Sequence, residues 1–387
     1  MLYSLTQFNE AYVNACQILM PLLLSNIIAE IHDSPFCGVF AVTGGGSEAL
    51  SRLLSVPGAS RTVLEALVPY HTASLKQFLG GQPDKACSDK TARAMAMAAF
   101  QRAMSLDPHT DHQVLLGIGV TAALRTDRGR KGDNRAFVCI QSLGCTREAS
   151  LLLNNDRTRQ EEESLVATMV IDLLAAACGL PGDLAFAAGA DEFHQRKTLG
   201  KPAWQKLLNG ECRSSHALAT PPAALFPGAF NPLHDGHRTM IRLAETLLEQ
   251  TVTLEISAFN VDKPPLDYFD MAHRDTAISA EYPLVFTHAP TFVEKSEIFP
   301  GVTFVVGVDT IKRVAEPRYY DGSLEKCLEA LASIRERGNR FLVFGRQQGD
   351  KFESLDDLLL PEVLRGICQG VEEAMFRHDI SSSQLRS

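Results

Sequence analysis

The segment Leu225-Phe226-Pro227-Gly228-Ala229-Phe230-Asn231-Pro232-Leu233-His234-Asp235-Gly236-His237 constrains this chain more than any other. An apolar run enters a loop holding a glycine and two prolines, then leaves through His-Asp-Gly-His into the helical stretch His237–Glu249. That succession reads as strand, loop and helix. In an open parallel sheet such loops lie at the carboxyl ends of strands, where ligands bind. Backbone N–H groups at a helix start suit a phosphate, and Gly236 lets the backbone come close. His234 and His237, on either side of Gly236, can both face that phosphate.

The remainder of the chain fits an α/β reading. Its 387 residues favour two domains. With 45% hydrophobic and 21% charged residues, it is neither disordered, collagen-like nor a coiled coil. Short apolar runs at Ala223–Phe226, Thr251–Ser257, Leu284–Thr287, Val302–Val306 and Arg340–Phe344 predict buried strands, with a helix at Leu324–Arg337. In the first half, Cys37–Val42, Gln113–Ile118 and Arg135–Gln141 read as strands, and Thr91–Met104 and Glu161–Cys178 as helices. The alternation predicts parallel sheets in α/β layers. Glu161-Glu162-Glu163 suits the positive end of a helix dipole. The glycines and prolines between Gly189 and Pro222 predict a boundary: residues 1–190 as one domain, 191–221 as linker and 222–387 as the second.

Charge and cysteine usage narrow the class. Lys and Arg total 37 against 46 Asp and Glu, a formal net charge of −9, which disfavours non-specific nucleic-acid binding but not a local phosphate site. Nine cysteines without CxxC spacing suggest neither a zinc site nor a disulfide framework, so reduced thiols and a cytoplasmic location are expected. No Lys or Arg precedes Arg52, which argues against a secretory or mitochondrial leader. The apolar stretch Ile18–Ile28 is too short to span a bilayer, and Ile18, Leu22, Ile27 and Ile31 fit an amphipathic helix.

The 225–237 segment resembles the nucleotidyltransferase superfamily with the HxGH motif, and within it the nicotinamide-mononucleotide adenylyltransferases. Further segments match in order: Asn260-Val261-Asp262-Lys263-Pro264, Gly307-Val308-Asp309, and Ile380-Ser381-Ser382-Ser383-Gln384-Leu385-Arg386, with Ser383 where that family carries threonine. The resemblance covers residues 222–387 and implies a Rossmann-like, doubly wound parallel sheet. It implies that His234 and His237 serve the reacting phosphates, and that Gly228, Phe230, Asn231, Gly236 and Gly307 shape the nucleotide site. Ser381, Ser382 and Arg386 would grip the β- and γ-phosphates, an arginine fork being matched to phosphate oxygens. Lys263 suits either a phosphate contact or a solvated surface. Asp309 suits either the nucleotide or metal-bound water, or a helix N-cap before Thr310–Val314. The chain ends one residue past Arg386, at Ser387, where the family continues with a helix.

Residues 35–180 resemble the CinA C-terminal, nicotinamide-nucleotide amidase domain. The matches are Thr43-Gly44-Gly45, Val56-Pro57-Gly58-Ala59-Ser60, Pro69-Tyr70, Phe78-Leu79-Gly80, Ala86-Cys87-Ser88-Asp89-Lys90-Thr91-Ala92 and Asp156-Arg157. That family's serine falls on Ala41 and its lysine on Leu75. Its later glycine-rich loop is replaced by Val120-Thr121-Ala122-Ala123-Leu124. A nucleophile needs a neighbouring base or a lowered pKa, so the domain reads as a non-catalytic relative, structural or nucleotide-sensing.

Together these features predict an ATP-dependent adenylyltransferase that transfers AMP to a mononucleotide phosphate such as nicotinamide mononucleotide, with Mg²⁺ on the phosphates. Partners are ATP and a small phosphate-bearing acceptor, with neither nucleic acid nor membrane, and a homo-oligomer left open. No metal ligand is assigned to the chain. One alternative is an adenylyl- or cytidylyltransferase for another acceptor such as phosphopantetheine. The other is a nucleotide-binding sensor or scaffold.

Overall fold

The computed structural model describes residues 23–127, 132–154, 156–181, 192–215, 222–259, 264–348 and 351–376. The chain divides into two compact units, Met1–Gly200 with Asp262–Phe269, and Lys201–Val261 with Asp270–Ser387. Among the described residues each unit holds one six-stranded sheet.

In the first unit the strands are β1 (Cys37–Thr43), β2 (Val63–Leu67), β3 (Leu115–Ala123), β4 (Asn134–Ser142), β5 (Cys145–Leu153) and β6 (Glu192–Leu199), ordered β2-β1-β3-β4-β5-β6. β2, β1 and β3 run parallel, but β3 through β6 alternate antiparallel. The expected parallel layer is therefore a mixed sheet. The reason is local: only Leu143 and Gly144 separate β4 from β5, too few for the crossover that parallel strands need.

One face of this sheet carries α1 (residues 23–33), α2 (Ser47–Ser55) and α5 (Arg159–Ala177). Leu24, Ile28 and Ile31 are buried with Leu53, Val170 and Leu174 against Phe40, Ile118 and Val138. The amphipathic helix expected from the N-terminal pattern is thus present from residue 23; Ile18 and Leu22 lie outside the described residues. On the other face lie α3 (Thr72–Leu79) and α4 (Asp89–Leu106). A Cβ at Gly117 would stand 2.1 Å from the Ala96 carbonyl oxygen, and one at Gly119 2.2 Å from that of Ala92. Only glycine at these two positions lets α4 lie this close to β3.

Residues 264–269 belong to this unit. Tyr268 is fully buried; its hydroxyl donates to the Leu143 carbonyl at 2.6 Å and its N–H to Thr146 Oγ1 at 3.1 Å. Arg93, also buried, binds Asp267 at 2.9 Å and Glu148 at 2.7 Å. A buried guanidinium is tolerable only with such pairing. The expected linker, residues 191–221, contains β6 and the helix α6 (Pro202–Leu208). Glycines and prolines punctuate this stretch, yet β6 within it is an edge strand, where charged residues deter further pairing.

In the second unit, β7 (Ala224–Pro227), β8 (Val252–Ser257), β9 (Leu284–Thr287), β10 (Thr303–Gly307), β11 (Arg340–Phe344) and β14 (Cys368–Gly370) run parallel in the order β14-β11-β10-β7-β8-β9. A two-stranded hairpin, β12 (Arg346–Gln348) with β13 (Lys351–Glu353), follows β11. Counted from the unit's first strand, the order is 3-2-1-4-5-6, that of a doubly wound Rossmann sheet. The helices are α7 (Asp235–Leu248), α8 (Tyr268–Ile278, from Asp270 onward in this unit), α9 (Phe292–Ile298), α10 (Val308–Val314), α11 (Leu324–Glu336) and α12 (Glu362–Arg365). Phe304 and Phe341 pack against Ile311, Leu331 and Ile334 on one face; Trp204 meets Phe286 edge-on at 5.6 Å on the other.

Candidate functional site

The strand order reverses between β7 and β10, and in open sheets of this kind ligands bind outside the strands' carboxyl ends at such a point. The loop after β7 and the start of α10 both stand there. The Gly228 N–H donates to the Glu255 carbonyl at 2.9 Å, holding the loop's first residue to β8. Phe230 adopts a left-handed backbone (φ 43°) and its ring is buried, edge-on to Phe226 at 5.2 Å and to His237 at 5.1 Å. A Cβ at Gly228 would lie 2.6 Å from that ring. Since the ring is wedged between two others, glycine is required there.

His234 is the N-cap residue of α7, and His237 lies in its first turn. The rings stack at 3.7 Å with 26° between their planes. The His234 N–H donates to His237 Nδ1 at 3.3 Å. An accepting Nδ1 leaves the proton of the neutral ring on Nε2, so His237 presents Nε2–H as a donor. Burial, and secondarily the neighbouring His234 and Arg238, lower the His237 pKa to about 4. At neutral pH the ring is an uncharged donor at a helix start, where the dipole favours an anion. Gly236 is buried between the two histidines; Asn231 is half-buried in the loop.

At the facing edge, Gly307 is the N-cap residue of α10 and Asp309 lies one residue inside the helix. The N-cap alternative for Asp309 is thus corrected: the helix starts two residues earlier than the sequence pattern suggests. Its carboxylate forms an ion pair with Arg346 of β12. Lys263, Ser381, Ser382 and Arg386 lie outside the described residues.

One residue escaped sequence reading. Arg274 on α8 is only 6% exposed; its Nε–H donates to the Ala229 carbonyl at 3.0 Å and Nη1 to the Asp270 carbonyl at 3.0 Å. In the sequence it is one more arginine on an amphipathic pattern, and nothing there shows that it turns inward.

In the first unit a cleft of about 540 Å³ is lined by Thr43, Gly44, Gly45, Tyr70, Arg159 and Glu163, among others. Ala41, two residues before Thr43 on β1, is fully buried in a small apolar cluster with Leu75, Leu79 and Met95. The two positions where the amidase-like pattern places a serine and a lysine are thus joined in one patch of core. The three glutamates at the α5 start have separate tasks. Glu161 completes a capping box with Thr158. Glu162 is buried and accepts from the Arg125 N–H and Asn134 Nδ2, each at 2.6 Å. Glu163 accepts from the N–H groups of Gly46 at 2.9 Å and Glu48 at 3.0 Å and from Ser47 Oγ at 2.9 Å. The N-terminus of α2, otherwise suited to an external anion, is filled by the chain's own carboxylate.

Comparison with known proteins adds the following. Solved structures similar to this chain include the competence/damage inducible protein CihA from Agrobacterium tumefaciens, at 18% identity over 41% of this chain and 94% of that one, with a TM-score of 0.35. A competence or damage-inducible protein from Enterobacter asburiae shares 20% identity over 40% and 96%, with a TM-score of 0.33. The competence-damaged protein (CinA) superfamily protein from Enterobacter cloacae shares 16% over 39% and 90%, with a TM-score of 0.32. No curated protein matches. Among the described residues no helix is long and apolar enough to cross a membrane. Residues 225–387 match the family described as Cytidylyltransferase-like; this part of the chain is a domain of nucleotidyltransferase type.

Proposed function

We propose that the second unit transfers AMP from ATP to the phosphate of a mononucleotide such as nicotinamide mononucleotide. One observation carries this reading: His234 and His237 stack at the start of α7, at the point where the strand order reverses. An acceptor phosphate oxygen attacks the α-phosphorus in line; the new P–O bond forms as the bond to the bridging oxygen breaks and pyrophosphate leaves. Positioning and charge stabilisation dominate such a step. His237 Nε2–H donates to a phosphate oxygen as negative charge builds there, helped by the dipole at the start of α7. Among the described residues no three His, Cys, Asp or Glu side chains gather to hold a metal ion. Magnesium on the phosphates would supply charge neutralisation there.

The first unit serves as a non-catalytic domain in this reading. Ala41 and Leu75 supply neither nucleophile nor base, and Glu163 takes the N–H groups that an anionic ligand would seek.

Pyrophosphate release, measured with ATP or CTP against nicotinamide mononucleotide or phosphopantetheine, tests the proposal. The expected result is release with ATP and nicotinamide mononucleotide. Release with CTP alone or with phosphopantetheine alone moves the assignment to that substrate. No release in any arm, with ATP still raising the melting midpoint, makes the chain a nucleotide-binding sensor.

A further inference from the structure

The loop between β7 and α7 is held at its two ends: Gly228 to β8 through its N–H, and His234 to His237 across the first turn of the helix. Its middle contains Phe230 in a left-handed conformation that non-glycine residues rarely adopt. Such a backbone persists only where its surroundings over-determine it. The ring is one restraint, pressed between Phe226 and His237. The preceding peptide is the other, and there Arg274 is the group that holds it: Nε–H to the Ala229 carbonyl at 3.0 Å. In a trans peptide the C=O and the following N–H point opposite ways. Fixing the Ala229 carbonyl therefore also fixes the direction of the Phe230 N–H, which bonds to none of the described residues.

We propose that Arg274 is the positioning residue of the nucleotidyl-transfer loop, fixing through the Ala229 carbonyl where Phe230 and His237 meet the phosphates. The chain of restraint runs from guanidinium to carbonyl, to the Phe230 backbone and ring, to the His237 ring at 5.1 Å. It depends on the arginine fork. Nη1 is committed to the Asp270 carbonyl, and the Asp270 carboxylate lies 3.6 Å away. That anchor sets the direction of Nε–H, whereas a lysine carries the charge on a single flexible nitrogen. Because Arg274 is buried, water does not substitute for its guanidinium readily.

This inference rests on the proposed transferase reading for its catalytic consequence, but not for its structural one. The test compares full-length wild type, Arg274→Gln and Arg274→Lys. Amide hydrogen exchange is measured without ligand, and turnover and KM for ATP are measured on the same folded preparations. Exchange of the 229–236 amides is expected to rise tenfold or more in both variants, with β10 and α11 amides within twofold of wild type. Turnover is expected to fall tenfold or more with KM for ATP within threefold, the signature of a group acting on the transition state. Loop exchange within twofold of wild type, or full recovery of exchange by lysine, overturns the proposal. A uniform rise of exchange across the second unit does so too, because it marks a merely structural role. If wild type transfers no nucleotide to any acceptor, the transferase reading fails, and exchange in the loop still decides whether Arg274 positions it.

Discussion

The backbone N–H of His234 donates to Nδ1 of His237 at 3.3 Å, so one main-chain bond decides which nitrogen of the second histidine is left to meet a ligand. Replacing His237 with alanine removes that Nε2–H donor. The expected loss in turnover is ~10²–10³-fold, as for other charge-stabilising donors. Circular dichroism and melting of the purified variant should remain those of a folded protein, and steady-state pyrophosphate release reads the loss.

The same ring gives a pH dependence. Burial lowers the His237 pKa to about 4, whereas an unfolded histidine titrates near 6.5. Between those values the unfolded chain takes up a proton that the folded one refuses, so stability falls as pH falls. The slope is at most about 1.4 kcal/mol per pH unit from this group. Urea midpoints from pH 7 down to pH 4.5 should decline less steeply for His237→Asn than for wild type. Parallel curves would mean that His237 is protonated in the folded state.

Removing the Glu163 carboxylate leaves the Gly46 and Glu48 N–H groups and the Ser47 hydroxyl without their acceptor. Glu163→Ala should cost about 1–2 kcal/mol, the range of a lost helix cap. Glu163→Gln keeps one acceptor oxygen and should cost less. Denaturant unfolding monitored on the first unit separates the two.

Deleting residues 380–387 should weaken ATP binding far more than acceptor binding. If Arg386 holds the triphosphate, its charge-assisted bonds contribute roughly 1.5–3 kcal/mol, or one to two decades of affinity. Titration of ATP against full-length and truncated protein at matched magnesium reads the difference; equal dissociation constants would remove Ser381, Ser382 and Arg386 from the site.

What was legible in the sequence was whatever repeats a local rule. The β7 loop combines an apolar strand, a glycine–proline turn and a helix start, each carried by adjacent residues, and its secondary structure could be written down unaided. The buried strands of the second sheet were legible for the same reason. What was not legible depends on partners far along the chain. Glu161, Glu162 and Glu163 look alike as a string, yet one caps its own helix, one is buried against Asn134 and one crosses to α2. Arg274 and Ala229 are 45 residues apart. Asp309 is paired by a hairpin that no pattern announced. β6 was lost because an edge strand with polar side chains on both faces has no alternation to read.

The packing of Ala41 with Leu75 in the core sets what either position tolerates. Ala41→Ser alone places a hydroxyl among Leu75, Leu79 and Met95, where an unsatisfied polar group costs about 1–3 kcal/mol, and ammonia release from nicotinamide mononucleotide should stay at background. Leu75→Lys alone buries a charge among apolar neighbours. Each single change is therefore penalised on its own. The patch is self-locking: a polar group at either position lacks a partner unless the other position changes with it.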